Sequence, residues 1–230
     1  LTRLEGVRNI PGFAEGLFTV QDVSSMLAVE CAGIREGDFV LDVCAAPGGK
    51  GTHAAERLNG TGKVLCRDIS EEKAALIREN VRRLGLTNIE IQVYDGRVYD
   101  ESLGGEADVV LADLPCSGLG ILGKKRDIKY HITPEGLQEL PRLQKELLDT
   151  VWRYVKPQGT LVYTTCTIRR EENEEIARWF LENYPFVPED ISVFLEKVPG
   201  KKTAGDGRLQ LLPGVHETDG FFIAKFRRKG

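Results

Sequence analysis

Phe39-Val-Leu-Asp-Val-Cys-Ala-Ala-Pro-Gly-Gly-Lys50 is the stretch on which the fold of this 230-residue chain turns. Phe39 to Val43 is a short, mostly apolar run, as expected of a strand buried on both faces in a parallel sheet. It gives way at once to Ala45, Ala46, Pro47, Gly48 and Gly49, a turn of small residues. Lys50 to Leu58 then follows with helix-compatible spacing and no proline. Strand, small-residue turn and helix make a ligand crevice at the carboxyl ends of the strands in an open α/β sheet. Small residues let a ligand approach the backbone, and the free N–H groups at the helix start are donors. Two nucleotide signatures fail here. A P-loop needs glycine where Cys44 stands and Ser or Thr where Gly51 stands, and the dinucleotide pattern G-x-G-x-x-G is absent from the turn. On this stretch alone, an ordinary strand-to-helix turn remains an open alternative.

Working outward, the chain alternates. Strands are predicted at Phe39–Cys44, Lys63–Asp68, Ile89–Tyr94, Ala107–Asp113, Gly159–Thr165 and Gly220–Phe226. Helices are predicted at Lys50–Leu58, Glu71–Leu84, Pro134–Val155 and Glu171–Asn183. In Glu71–Leu84 the apolar Ala75, Leu76, Val81 and Leu84 are expected on one face, with Ser70 as N-cap and Gly85 as C-cap. Such alternation predicts a mostly parallel, doubly wound sheet. Residues 197–219 show no obvious helix, so the last strand is expected to enter antiparallel. Before the core, Asp22, Ser24 and Ser25 offer caps for a helix running to about Ala32. Residues 1–35 read as a brace or lid and residues 36–230 as the catalytic domain. Asp68, Asp95 and Asp113 fall at successive strand ends, where an acid can hold a ribose diol or an exocyclic amine, so a nucleoside-like ligand is expected.

A hydrophobic content of 41% is ample for a full core, and neither a membrane-span run nor a signal-peptide pattern is visible. The five cysteines lie far apart, with no C-x-x-C pair and only three histidines, which argues against a zinc site or a disulfide framework and for a reducing cytoplasm. Asn59-Gly60-Thr61 matches a glycosylation sequon but reads as a turn. A net charge of −4 excludes an overtly basic nucleic-acid binder. Lys124-Lys125-Arg126, Lys201-Lys202 and Arg227-Arg228-Lys229 read first as solvated faces. The start on Leu1 leads us to expect a domain of something longer.

Two cysteines stand apart. Cys116 follows the fourth predicted strand in Asp113-Leu-Pro-Cys-Ser-Gly118, and Cys166 ends the fifth in Thr164-Thr-Cys-Thr167. In a parallel sheet these strands finish on the same edge, so two thiols should face one site. Buried, inert cysteine accounts well for Cys31, Cys44 and Cys66, and less well for these two. Beside a nucleoside-like ligand, a thiolate adding at carbon 6 of a pyrimidine turns carbon 5 into a nucleophile able to attack an activated methyl group. A nearby acid can stabilise charge at nitrogen 3, and a second polar group can help the carbon-5 proton leave. Chemistry alone does not choose which thiol adds.

Asp42 to Lys50, Asp113 to Gly118 and Thr165-Cys166 together resemble the Sun/Fmu-type RNA 5-methylcytosine methyltransferases, and Val20 to Ser25 and Asp219 to Phe222 are similar to that family's flanking motifs. The resemblance spans nearly the whole chain and leans toward the members acting on small-subunit (16S) ribosomal RNA. It implies a Rossmann-like fold and S-adenosylmethionine bound by Cys44, Ala45, Ala46, Pro47, Gly48, Gly49 and Lys50. It further implies Asp68 on the ribose, Asp95 near the adenine and Asp113 shared between cofactor and target base, with no metal. Lys73 stands where the family often has a cofactor-proximal base. By the same resemblance Cys166 is the nucleophile and Cys116 assists product release. A structured RNA partner, a monomer and an RNA-binding domain N-terminal to these residues are also expected. Two other readings are a DNA cytosine-5 methyltransferase using Cys116, for which the chain lacks room for a target-recognition domain, and an RNA-binding assembly factor without turnover.

Overall fold

Alternate residues of the central strands enter opposite cores, and this positions everything else. The computed structural model describes residues 6–195 and 205–230. Its strands are β1 (Phe39–Asp42), β2 (Lys63–Asp68), β3 (Ile89–Val93), β4 (Ala107–Asp113), β5 (Val155–Thr165), β6 (Phe186–Pro188), β7 (Arg208–Leu211) and β8 (Phe221–Arg228). Its helices are α1 (Val23–Ala32), α2 (Gly49–Arg57), α3 (Glu71–Leu84), α4 (Ile128–His131), α5 (Pro134–Val151) and α6 (Glu174–Asn183). Val40, Val64, Val109 and Leu111 pack under α1, α2 and Ile77 of α3. Leu41, Leu65, Val110 and Ala112 pack under Leu147, Leu148 and Val151 of α5 and Phe180 of α6. A period of two with both sets apolar is what a sheet covered on both faces requires.

The eight strands run in the order β3-β2-β1-β4-β5-β8-β6, with β7 also on β8. The pairs β1 to β2, β2 to β3, β1 to β4 and β4 to β5 are parallel. Antiparallel β8 pairs with β5 along one edge and with both β6 and β7 along the other. The chain therefore leaves β1 toward β2 and β3, then returns to add β4 and β5 on the opposite side. That reversal opens a crevice at the carboxyl ends of β1 and β4.

Several expectations need correcting. The apolar face of α3 is Ala74 and Ile77, with Val81 half-buried; Ala75 and Leu76 point to solvent. The helix predicted to reach Val155 stops at Val151, because a 3-10 turn at Trp152–Tyr154 feeds straight into the longer β5. Strands β6 and β7 were not foreseen. Ser70 and Gly85 cap α3 as expected, and Asp22 caps α1 by accepting the Ser24 amide at 2.9 Å. Lys124, Lys125 and Arg126 are exposed, as expected of a solvated face, and Lys124 in addition bridges Asp22 at 2.6 Å and Asp219 at 2.7 Å. Arg227 pairs with Glu189, and Lys201-Lys202 lies outside the described residues.

α5 carries Pro141 in its interior. Proline has no N–H, so the Leu137 carbonyl one turn earlier loses its helical partner. The Arg169 guanidinium supplies the donor instead, at 2.8 Å.

Candidate active site

The turn after β1 is fixed from the neighbouring strand. The Ala45 amide donates to the Arg67 carbonyl at 3.0 Å, and the Ala46 amide to Asp68 Oδ2 at 2.9 Å. Gly51 sits against Cys66, whose sulfur a Cβ there would strike, so the serine or threonine of a P-loop has no room. Asp68 is buried at the end of β2, takes the Ile69 amide on Oδ1 at 2.8 Å and meets Lys73 Nζ at 3.1 Å. Asp95 is forked by Arg97, whose hydrogen bonds hold its carboxyl below the usual range. Asp68, Asp95, Tyr94 and Leu143 line a cavity of about 210 Å³. A second cavity of about 230 Å³ is lined by Asp42, Ala45, Pro47, Lys50 and Asp113. Cys44 lies on the wall of both.

Asp42 opens the Asp42 to Lys50 motif at the end of β1. It is fully buried, and the backbone amide of Cys44, the hydrogen-bond donor near its carboxylate, is too poorly aligned to satisfy either oxygen. Burial pushes its carboxyl up to about 7; Lys50 opposes this, while Asp113 and Asp68 add to it. Buried polar groups are normally satisfied, so an orphaned carboxylate on a cavity wall indicates a ligand donor. The two cavities fit S-adenosylmethionine: acids and an apolar wall for a nucleoside on one side, an unpartnered carboxylate for a charged amine on the other.

Asp113 ends β4 with Lys50 Nζ on Oδ2 at 2.6 Å and the Thr164 hydroxyl on Oδ1 at 2.6 Å. The two loops beyond β4 and β5 bring Cys116 Sγ and Cys166 Sγ to 3.3 Å. Burial raises the thiols of Cys31, to about 12, and of Cys44 and Cys66. Cys116 is raised well above the ordinary value, first by its hydrogen bond with Cys166 and then by burial. Cys166 alone is lowered: the Cys116 contact and the Lys50 charge outweigh burial and Asp113. Of the pair, Cys166 is therefore the thiol that gives up its proton first.

A buried network that sequence reasoning missed holds both loops. Glu172 accepts the Ser117 amide at 2.8 Å and Arg169 at 3.1 Å, while Gln144 donates to the Pro115 carbonyl at 2.9 Å. Asn173 accepts the Thr165 hydroxyl at 2.5 Å and donates to the Thr167 carbonyl at 3.0 Å. The Ser117 and Thr167 hydroxyls join the loops at 2.7 Å. Gly120 donates to the Cys166 carbonyl at 3.0 Å and lies so close to Gly220 that a Cβ on either would meet the other's backbone. That contact gives the Asp219-Gly220 motif a structural reason. Among the described residues no group of three His, Cys, Asp or Glu side chains could hold a metal, and no helix is long and apolar enough to cross a membrane.

This fold and site define a Rossmann-like, S-adenosylmethionine-dependent methyltransferase. The chain belongs to the 16S rRNA methyltransferase RsmB/F family, whose model matches residues 31–227. It is 41% identical over 222 residues to the "Probable ribosomal RNA small subunit methyltransferase B" of Bacillus subtilis, covering 95% of this chain and 49% of that protein. To ribosomal RNA small subunit methyltransferase F of Escherichia coli it is 38% identical, covering 93% of this chain and 45% of that one. The chain thus spans about half the length of these curated relatives. Among solved structures, NSun6 from Pyrococcus horikoshii with SFG, an S-adenosylmethionine analogue, superposes with a TM-score of 0.86 at 29% identity, over 99% of this chain and 57% of that one.

Proposed function

We propose that this chain methylates carbon 5 of a cytosine in small-subunit ribosomal RNA, with Cys166 as the nucleophile. The observation that carries the reading is geometric: the Cys116 and Cys166 sulfurs, from the loops after β4 and β5, lie 3.3 Å apart beside Asp113 and Lys50, and of the two thiols Cys166 is the one lowered. The substrate class rests on family membership and on the relatives' names. Bound across Cys44 to Lys50, Asp68 and Asp95, S-adenosylmethionine supplies an electrophilic methyl group.

The residues divide the remaining work. Cys166 thiolate adds to carbon 6, and the electron pair of the ring double bond moves to carbon 5. Asp113, oriented by Lys50 and Thr164, acts in its carboxylic acid form, handing a proton to nitrogen 3 as negative charge builds there and taking it back when the ring double bond re-forms. Once bonded to carbon, Cys166 no longer carries the charge that keeps Cys116 protonated. With carbon 5 methylated, Cys116 gives its own proton to solvent and, as thiolate, takes the proton from carbon 5; the ring double bond re-forms and Cys166 leaves as thiolate.

The test is a denaturing gel of protein with labelled ribosomal RNA and cofactor. Cys166→Ala should give neither adduct nor methylation, and Cys116→Ala should stall as a shifted protein–RNA band. Trapping by Cys166→Ala would reverse the roles. Full activity in both variants would reduce the pair to packing.

A further inference from the structure

Beside the Cys116 turn lies a cavity of about 610 Å³ whose lining includes neither Cys166, Asp113 nor the Cys44 to Lys50 turn. Ile128, Ile132, Leu137, Leu140 and Leu143 form its apolar walls, and Cys116 closes one end. Leu143 and Arg97 also line the Asp68–Asp95 cavity, so the space continues the active site. Its outer wall is held in place locally: Ile128 packs so closely on Gly118 that a Cβ at Gly118 would approach its Cδ1 to 2.9 Å. Arg142 and His131 line it as well, both exposed and neither engaged in an ion pair among the described residues.

We propose that this cavity seats one nucleobase directly adjacent to the target cytosine, making it a second, sequence-reading subsite for RNA. The inference rests on the cytosine reading above. A base that reacts with Cys166 must leave its stack, and each neighbour then loses a stacking surface. A neighbour covalently tethered to the reacting base is a flat ring that necessarily arrives beside Cys116. The volume lies within the range of small-ligand sites. Apolar walls replace the lost stacking surface; Arg142 and His131 suit the phosphate that follows the ring, and Asp127, Glu139 and Glu146, which share the lining, suit the amino groups of a base edge. A single small pocket on one side of the cysteine turn serves one flank, not both.

The experiment uses short RNA substrates containing the target cytosine, intact or abasic at the position before or after it. With wild-type protein, one abasic position should raise KM about tenfold and the other by less than twofold. Leu140→Trp, which fills the cavity from a partly exposed position, should raise KM for intact RNA similarly. It should add nothing further on the sensitive abasic substrate and leave cofactor affinity unchanged. Ile132→Trp is the second variant if the first is unstable. Tolerance of both abasic positions by wild type, or variant and abasic effects that multiply, would overturn the subsite. Methylation of no substrate at all would overturn the underlying activity and this inference with it.

Discussion

The Glu172 carboxylate, with no exposed surface, accepts the backbone amide of Ser117 at 2.8 Å across 55 residues of sequence. A residue from the segment before α6 therefore fixes the turn that carries Cys116. Its other oxygen receives Arg169 at 3.1 Å, next to the Cys166 loop. Glu172→Gln can still accept the Ser117 amide but leaves Arg169 short of a counter-charge, and should cost roughly 1–3 kcal/mol. Glu172→Ala leaves the Ser117 amide unpaired in a buried place and strips Arg169 of its nearer carboxylate, with the Leu137 carbonyl and Glu171 as its remaining partners, and should cost roughly 3–5 kcal/mol. Urea denaturation measures both; equal losses would show that the Ser117 contact contributes nothing.

Asp42 makes stability depend on pH. Its folded carboxyl is raised to about 7 from 3.8, so between those values the folded state binds the proton more tightly than the unfolded chain. Stability from this group is therefore greatest at low pH, falls as pH rises through that window and levels off above it. Asp42→Asn removes the slope. Relative to wild type it should gain roughly 2–4 kcal/mol between pH 4 and pH 7.5. Denaturation of the two proteins at both pH values tests this, and parallel curves would place Asp42 among ordinary carboxylates.

Asp68 contributes to the turn as well as to the nucleoside side of the crevice, since it holds the Ala46 amide. Asp68→Asn should keep much of the turn, whereas Asp68→Ala should weaken S-adenosylmethionine binding by roughly 1–3 kcal/mol in calorimetry. Unchanged affinity in a folded Asp68→Ala protein would remove it from the site.

The thiols should be chemically distinguishable without substrate. Cys166 is lowered below 9.0 while the other four are raised, so iodoacetamide near neutral pH should label Cys166 first, with Cys31, Cys44 and Cys66 protected until unfolding. Lys50→Met removes a charge that lowers Cys166 and should slow that labelling. Peptide mapping by mass spectrometry reads the order; preferential labelling of Cys116 would invert the polarity of the pair.

Much of this was legible because it is local. The Asp42–Lys50 motif, the caps at Asp22, Ser70 and Gly85, and the strand-end cysteines each announce themselves in a few consecutive residues. What was missed depends on distant partners. Glu172 stands among Glu171, Glu174 and Glu175, a run that reads as a solvated helix start, and only the fold buries one of them. β6 and β7 are three and four residues long, too short for a period to emerge, and both exist because β8 offers an edge. On α3, hydrophobicity points Ala75 and Leu76 inward, yet the contact surface is set by the residues on either side of that pair, Ala74 and Ile77.

Pro141 looks like a flaw that thermostability engineering would repair. Replacing an interior helix proline ordinarily returns about 3 kcal/mol by restoring the missing hydrogen bond. Here the restored N–H would compete for the Leu137 carbonyl that now anchors Arg169. Arg169 would then grip Glu172 from one side only, and the turn bearing Cys116 would inherit the slack. Stability gained at that position is therefore expected to come with slower turnover, which a Pro141→Ala variant assayed for both melting temperature and kcat would show.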